Sequence, residues 1–293
     1  MKDLVAPGPA SPHLTSADLA PSDPTDARPP APGLEARAIS AGYDRRHVIE
    51  ELSLTIEPGR ITALVGPNAC GKSTLLKSMA RLLPVSRGSV LLDGRDIHAL
   101  PTREVARRLG ILPQSPIAPE GITVADLVWR GRHPHQRFGQ RRTAAEDEVI
   151  ARALAATGTA ELVDRPVDEL SGGQRQRVWI ALALAQETPL LLLDEPTTYL
   201  DIAHQIEVMD LLADLNEQSG KTIVLVSHDL NQAALYASTI VAMRDGRIVR
   251  QGSPAEVLTE RTVADVFGLD CLVVPHPRSD RPQIFPLGRH ITS

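Results

Sequence analysis

Short apolar runs, each ending at a polar residue or a glycine, recur along the chain with amphipathic stretches between them. Such runs are typical of strands buried in a parallel sheet, and here they cover residues 61–65, 110–112, 190–193 and 222–226. Residues 36–41 and 48–56 predict an antiparallel β-layer, whereas residues 117–173 are helical in pattern and poor in strands. The pattern predicts an α/β fold: a mixed sheet with an antiparallel β-layer and an inserted α-helical subdomain.

Changes in composition divide the chain. Residues 1–33 are rich in Pro, Ala, Ser and Asp and cannot bury enough apolar surface to offset the entropy of ordering, so we expect a disordered tail there. We expect one folded domain over residues 34–274, with its core at 34–114 and 174–274 and its helical subdomain at about 115–173. The polar, Pro-containing segment 275–293 is expected to be a C-terminal tail.

The longest predicted helix covers residues 201–219, where apolar residues recur at helical spacing. Gly220 stands at the position expected for its C-terminal cap. The predicted core residues of this helix are Ile202, Ile206, Met209, Leu212 and Leu215.

Charge and cysteine content narrow the class of protein. A net charge of −5 without a long basic run argues against a nucleic-acid partner. Cys70 and Cys271 are the two cysteines and form no CxxC pair, which favours a reducing cytosol. No apolar stretch approaches the ~18 to 20 residues that span a bilayer, and the first residues do not form a signal peptide. Membrane association is therefore expected only through a partner.

Residues 66–74 read GPNACGKST and fit the P-loop pattern, with an apolar strand before them and a helical pattern after them. Glycines let the backbone turn its N–H groups inward, and the helix N-terminus favours phosphate. We expect Lys72 to reach the β- and γ-phosphates of ATP and the Ser73 hydroxyl to bind Mg²⁺. The other predicted ATP-binding residues of the loop are Gly66, Pro67, Asn68, Ala69, Cys70, Gly71 and Thr74.

Two residues within the loop carry separate expectations. Ala69 stands where many such loops have glycine, which predicts a negative φ at this position. Cys70 lies at a helix N-terminus beside Lys72, where the pKa of a thiol can fall. The alternative, which we favour, is that Cys70 is a small side chain that fits the loop.

An acidic pair follows the leucine run at residues 190–193. Four apolar residues leading into two acids are typical of a buried parallel strand that ends at a site. We expect Asp194 to bind Mg²⁺, directly or through water. We expect Glu195 to be the general base that polarises the attacking water.

Three further residues are candidates for the nucleotide site because of their positions in the sequence. His228 follows the strand at 222–226, at the edge of the sheet where ligands bind in open α/β sheets, and we expect it to contact the γ-phosphate and orient Glu195. The amide of Gln114 follows the strand at 110–112 and is suited to touch Mg²⁺ or the water. Tyr43 is a candidate for stacking on adenine; the alternative is a surface tyrosine closing a hairpin.

A second phosphate-binding motif is present at residues 170–177, which read LSGGQRQR. Ser171 is placed to cap a helix that begins at Gly172, leaving N–H groups and the helix dipole for an anion. One chain is poorly placed to bring this motif and the P-loop to the same nucleotide, which suggests that two copies close face to face around ATP.

The order of these motifs resembles that of the ATP-binding-cassette ATPases, over about residues 35–269. The resemblance implies a P-loop NTPase core with a RecA-like mixed sheet, and ATP and Mg²⁺ as cofactors. It also implies a homodimer in which Ser171, Gly172 and Gly173 contact the γ-phosphate held by the P-loop of the opposite subunit, with Gln174 among the ATP-binding residues. Asp201 would cross that interface. Tyr199 stands where many relatives have a small residue, so the packing of this loop is expected to differ.

Within this family the chain most resembles the ATPases of importers for ferric siderophores, vitamin B12 and haem, with the iron–siderophore branch the best match. The matching segments are residues 124–132, 178–181 and 196–205. The resemblance implies a peripheral protein on the cytoplasmic face of the membrane, bound to two permease subunits and acting indirectly with a solute-binding protein. Cargo does not touch this subunit, so no residue is assigned to its recognition.

Other functions were weighed against this one. The alternatives are an ABC ATPase for another cargo, such as vitamin B12, haem or an exported substrate, and a soluble cassette ATPase without a transport role. Soluble relatives usually carry two cassettes or extra domains, and this chain has one cassette. A non-enzymatic scaffold would lack a general base or a signature, whereas Glu195 and Ser171 are both present.

Overall fold

The computed structural model describes residues 33–44, 46–136 and 142–288. The tail predicted for residues 1–33 lies, but for Gly33, outside the described residues. The strands are β1 (Leu34–Tyr43), β2 (Arg46–Ile56), β3 (Ile61–Val65), β4 (Arg87–Leu92), β5 (Arg95–Asp96), β6 (Leu109–Leu112), β7 (Leu190–Asp194), β8 (Thr222–Val226), β9 (Thr239–Arg244), β10 (Arg247–Gly252), β11 (Cys271–Pro275) and β12 (Pro282–Pro286). The helices are α1 (Lys72–Met79), α2 (Thr102–Arg108), α3 (Val124–Trp129), α4 (Ala144–Ala156), α5 (Gly172–Ala185), α6 (Ile202–Ser219), α7 (Leu230–Tyr236), α8 (Pro254–Val257) and α9 (Glu260–Phe267). Short 3₁₀ turns occupy Arg130–Arg132, Ala160–Leu162 and Val167–Glu169.

The four apolar runs form the adjacent strands β3, β8, β7 and β6 of a six-stranded sheet in the order β10-β9-β3-β8-β7-β6. Strands β9, β3, β8, β7 and β6 are parallel to one another. Strand β10, at the edge, is antiparallel to β9. The predicted mixed sheet is confirmed. Because β3, β8, β7 and β6 run the same way, their carboxyl ends meet at one edge.

Both faces of this sheet are covered, which is why its strands are apolar without alternation. On one face, Leu64, Leu192 and Val224 pack into a core with α1 and the second sheet. On the other face, Ala63, Leu193 and Leu225 pack into a core with the helices α3 to α7.

The predicted antiparallel β-layer is also confirmed, as a four-stranded sheet in the order β2-β1-β4-β5. Helix α1 lies between the two sheets and buries Leu75, Leu76 and Met79 in their shared core. This packing fixes the helix whose N-terminus follows the P-loop.

The helical region is built around α5, which packs on α3 and α4. Each of these helices has a side-chain cap at its start: Thr123 caps α3, Thr143 caps α4 and Ser171 caps α5. Since α5 begins at Gly172, the boundary predicted at residue 173 falls within its first turn.

Helix α6 matches its predicted length and ends at Gly220, which has the left-handed φ of +61° expected of a C-terminal cap. Met209, Leu212 and Leu215 are buried as predicted. The prediction was wrong for Ile202 and Ile206, which are 76% and 45% exposed. They lie in the first turns of the helix, before its buried residues begin at Val208.

The C-terminal region differs from the predicted tail. Strand β12 pairs antiparallel with β11, so a hairpin crosses the boundary predicted at residue 274. Cys271 and Ile284 are buried in the main core. The strand was missed because prolines stand at both of its ends and suggest an irregular segment.

No helix among the described residues is long and apolar enough to cross a membrane.

Candidate active site

The predicted catalytic residues converge at the carboxyl edge of the parallel strands. Gly66 follows β3, His228 lies two residues beyond β8, Glu195 follows β7, and Gln114 lies two residues beyond β6. Because these strands are neighbours in the order β3-β8-β7-β6, residues far apart in sequence reach one place. We call Lys72, Ser73, Gln114, Asp194, Glu195 and His228 the catalytic edge.

The P-loop has a backbone that favours glycine at two positions. Gly66 has a φ of +155°, and a Cβ there would lie 2.2 Å from the carbonyl oxygen of Met243. Gly71 has a φ of +104° at the start of α1. The prediction for Ala69 was wrong, since its φ is +61°. A left-handed alanine costs roughly 1 to 2 kcal/mol, which the loop tolerates because the surrounding turn dictates this conformation.

Lys72 is held inside the loop. Its ammonium donates hydrogen bonds to the carbonyl oxygens of Gly66 and Pro67, each at 2.9 Å, and the side chain is 5% exposed. The positive charge of Lys72 therefore lies within the P-loop, as the pattern requires for a lysine that binds phosphate.

The thiol of Cys70 packs inside the same turn. It is buried, and burial raises the pKa of this thiol despite the opposing effect of the Lys72 ammonium. A buried thiol with a raised pKa is not a reactive one, which favours the interpretation of Cys70 as a small side chain that fits the loop.

Ser73 and Asp194 form a pair with the properties of a cation site. The Ser73 hydroxyl donates to Asp194 Oδ1 at 2.8 Å, while the buried Asp194 Oδ2 has no hydrogen-bond partner. Burial, and secondarily the Glu195 charge, raise the pKa of Asp194. An orphaned buried carboxylate oxygen beside a hydroxyl fits Mg²⁺.

The described residues do not supply a full set of protein ligands for a metal ion. Among the described residues, no cluster of three or more His, Cys, Asp or Glu side chains could hold a metal ion. Mg²⁺ in proteins usually keeps several waters and takes phosphate oxygens rather than a full set of protein ligands. Among the hydrogen bonds of the described residues, none joins Gln114 to Ser73 or Asp194; its amide donates to Glu195 Oε2 at 2.8 Å.

Glu195 is the most constrained residue of the catalytic edge. Its side chain is 9% exposed and its φ is +56°. Oε1 lies 2.5 Å from His228 Nε2, and Oε2 accepts from Gln114 and from the Thr198 hydroxyl at 3.2 Å. Three loops thus orient one carboxylate. Thr198 was missed by the sequence analysis, because a threonine in a turn gives no signal of its partner.

The segment after Glu195, residues 196–200, is held by glutamines from two helices. Gln176 of α5 donates to the Pro196 carbonyl at 3.0 Å. Gln205 of α6 donates to the Leu200 carbonyl at 3.1 Å. Tyr199 between them has a φ of +68° and is 74% exposed. The sequence analysis assigned neither glutamine a role.

The signature turn, residues 171–174, is exposed and self-contained. Ser171 accepts from the N–H of Gln174 at 3.2 Å, and Gln174 Oε1 accepts from the N–H of Ser171 at 3.1 Å. This is a capping box at the start of α5. Among the described residues, none of its hydrogen bonds reaches the P-loop.

The two remaining candidates lie at the surface. Tyr43 ends β1, pairs with Arg46 across the hairpin and is 47% exposed, so both interpretations of this tyrosine fit its position. Asp201 caps α6 by accepting from the N–H of His204 at 2.9 Å, and the hydrogen bonds from His204 lower the pKa of this carboxyl.

Comparison with known proteins agrees with this geometry. The family model described as "ABC transporter" matches residues 49–198. The achromobactin transport ATP-binding protein CbrD of Dickeya dadantii is 52% identical, covering 87% of this chain and 95% of its own. The ferric enterobactin transport ATP-binding protein FepC of Escherichia coli is 48% identical, covering 87% and 94%. The iron(3+)-hydroxamate import ATP-binding protein FhuC of Bacillus subtilis is 47% identical, covering 85% and 93%.

Solved structures show the same fold. A metal-chelate type ABC transporter in an inward-facing conformation is 28% identical, with a TM-score of 0.76 over 89% of this chain and 100% of the other. A dimeric bacterial ABC transporter cassette is 27% identical, with a TM-score of 0.69 over 75% and 98%.

Proposed function

Because this chain belongs to the ABC transporter family, as an ATP-binding subunit, we propose that it hydrolyses ATP to drive import of an iron(III)–siderophore or a related metal chelate through partner permease subunits. The observation that carries the enzymatic part is the orientation of Glu195 by Gln114, Thr198 and His228 beside the Ser73–Asp194 pair. These residues supply a general base and a cation site at one edge of the sheet.

The chemistry follows from the positions of these groups. Lys72 and the backbone N–H groups of the loop bind the β- and γ-phosphates, and Tyr43 stacks on adenine. Ser73 and Asp194 hold Mg²⁺, which when bound neutralises charge on the phosphates. Glu195 accepts a hydrogen bond from the attacking water and aims it at the γ-phosphorus. His228 donates from Nε2 to Glu195 Oε1, so that the carboxylate keeps one orientation.

A second copy completes the site. The signature turn exposes Ser171 and Gly172. Beside it Tyr199, Ile202 and Ile206 expose apolar surface, and the two isoleucines lie one turn apart on α6. A Cβ on Gly172 would lie 3.6 Å from that of Tyr199, so the polar turn and the apolar stripe are continuous. Such a surface suits a face-to-face partner, and we propose that Asp201 crosses this interface.

The cargo and the membrane partners rest on the relatives. Those named above are called transport or import ATP-binding proteins for achromobactin, ferric enterobactin and iron(3+)-hydroxamate, and each aligns over more than four fifths of both chains. We therefore place this chain on the cytoplasmic face of the membrane, against two permease subunits that receive cargo from a solute-binding protein.

Uptake of radioactive iron tests this proposal. Cells lacking the gene are given iron–siderophores, labelled vitamin B12 or haem, and the wild-type gene or the Lys72→Ala variant is restored. We expect the wild type to restore uptake of an iron–siderophore and the variant to restore none, since it lacks the phosphate-binding ammonium. Restored uptake of vitamin B12 or haem alone would show a different cargo, and full uptake with Lys72→Ala would contradict the role of ATP.

A further inference from the structure

Helix α7 is too short to fix its own position. It has seven residues and begins directly after His228 and Asp229. Isolated helices shorter than ~12 to 15 residues are marginal in water. Asp229 caps its start by accepting from the N–H groups of Asn231 and Gln232. The place of this helix, and with it the backbone of His228, is therefore set by its tertiary contacts.

The C-terminal hairpin, β11 with β12, holds both ends of α7. In the first turn, Asn231 donates to the carbonyl of Ile284 at 3.2 Å and accepts from its N–H at 2.7 Å. At the other end, Arg281 donates to the carbonyls of Ala234 and Ala237, at 3.2 and 2.6 Å. The last carbonyls of a helix lack donors within the helix and favour a cation.

The hairpin is itself anchored in the protein. Cys271 and Ile284 are buried in the main core. The N–H of Val273 donates to the carboxylate of Glu260 at 3.2 Å. Because the hairpin is fixed at these points, its hydrogen bonds hold α7 in one position.

Helix α7 is also linked to the segment that follows Glu195, through a glutamine of α6. Gln232 donates to Gln205 Oε1 at 2.8 Å, and Gln205 in turn binds the Leu200 carbonyl. The His228–Glu195 contact of 2.5 Å depends on this arrangement. A hydrogen bond weakens steeply with displacement, and a shift of about 1 Å in a catalytic group can cost up to ~10² in rate.

We propose that the C-terminal hairpin sets the position of His228 on Glu195 by fixing α7, with Asn231 and Arg281 as positioning residues. The proposal rests on the ATPase function proposed above. It assigns a role in hydrolysis to a segment whose hydrogen bonds, in the described part of the chain, do not reach the catalytic edge.

The test compares two arginines of the hairpin in the purified full-length chain. Arg281→Ala removes the contacts to α7, whereas Arg278→Ala removes a side chain that makes no hydrogen bond to α7. We expect Arg281→Ala to lower kcat for ATP roughly ten-fold with an unchanged KM. Arg281→Lys, which keeps a donor and the charge, should retain most of the activity, and Arg278→Ala should retain all of it.

A double-mutant cycle separates positioning from general destabilisation. In a His228→Ala background, Arg281→Ala should cause no further loss, because the residue it positions is gone. An equal loss in both backgrounds, or an unchanged kcat in Arg281→Ala, would overturn the proposal. If residual turnover is too slow to measure, amide exchange over residues 230–236 decides: faster exchange in Arg281→Ala than in Arg278→Ala supports it, and equal exchange overturns it.

The failure of this inference is distinguishable from that of the proposed function. If the wild-type chain hydrolyses ATP and Arg281→Ala does so equally well, only the positioning role is wrong. If the wild-type chain does not hydrolyse ATP, the ATPase function itself is wrong.

Discussion

The catalytic edge and the signature turn are both proposed to face phosphate, yet they are built differently. In the catalytic edge, Asp194 and Glu195 are nearly buried, and partners from other loops hold each of them. In the signature turn, Ser171 and Gln174 are bonded to each other, with Ser171 exposed and Gln174 half-buried. The first is organised by long-range packing within one chain, and the second by local capping alone. Only the second can be presented whole to another molecule.

The largest effect that this comparison predicts follows loss of the general base. Glu195→Gln keeps the size of the side chain but removes its charge and one of its two accepting oxygens, so ATP hydrolysis should fall by about 10² to 10⁴. Binding should persist, because the P-loop is untouched, and size-exclusion chromatography with ATP should show an accumulated dimer. Exposed Glu161, changed to Gln, is the matched control. Wild-type turnover in Glu195→Gln would disprove the base assignment.

A large side chain in the signature turn tests the other half of the comparison. Ser171→Arg should reduce hydrolysis about 10²-fold, as loss of one anion-binding donor commonly does. ATP binding by the single chain should be unchanged, because no hydrogen bond joins the turn to the P-loop in the described structure.

The control for this variant is a second serine of the same kind. Ser253 also forms a capping box, at the start of α8, so Ser253→Arg loses a comparable cap of roughly 1 kcal/mol. Hydrolysis assays and thermal unfolding of both variants separate the two effects. Equal turnover in Ser171→Arg and Ser253→Arg would mean that the signature turn takes no part in the site.

The smallest predicted effect is on stability. Burial raises the pKa of Asp194 above its ordinary value of 3.8, so carrying its charge disfavours the folded state. Asp194→Asn should therefore raise the free energy of unfolding, without nucleotide or Mg²⁺, by about 1 kcal/mol, while abolishing Mg²⁺-dependent hydrolysis.

The pH dependence has a defined sign. The gain from Asp194→Asn should be complete above the raised pKa and vanish as the pH falls below 3.8, where the carboxyl is neutral in both states. Denaturant unfolding at several pH values measures it, with Asp214→Asn at an exposed position as control. A gain that does not shrink on acidification would contradict this cause.

Much of the catalytic edge was predictable, because several of its polar residues directly follow strands that can be recognised in the sequence. Asp194 and His228 follow runs whose apolar character marks them as buried. Since parallel strands end at one edge, residue type and a position after a buried strand were sufficient to predict that they lie at the same edge. The P-loop was recognisable for the same reason.

The supporting residues were not predictable from the sequence. Thr198, Gln176 and Gln205 act through hydrogen bonds to groups that only tertiary packing brings near. Helical periodicity likewise marked Ile202 and Ile206 as apolar, but it does not say whether the chain itself or another molecule covers them. The left-handed φ of Ala69 depends on the turn around it rather than on the residue.

The four leucines of β7 have one more consequence. Leu190 and Leu192 face one core, while Leu191 and Leu193 face the other. Sliding this strand by a single residue would exchange leucine for leucine on both sides, so apolar packing alone does not distinguish the two alignments. Polar contacts at the ends must do so: the Lys221 ammonium on the Thr188 carbonyl before the strand, and the Ser73 hydroxyl on Asp194 at its close. The carboxylate proposed to hold the cation thus also keeps its own strand in alignment.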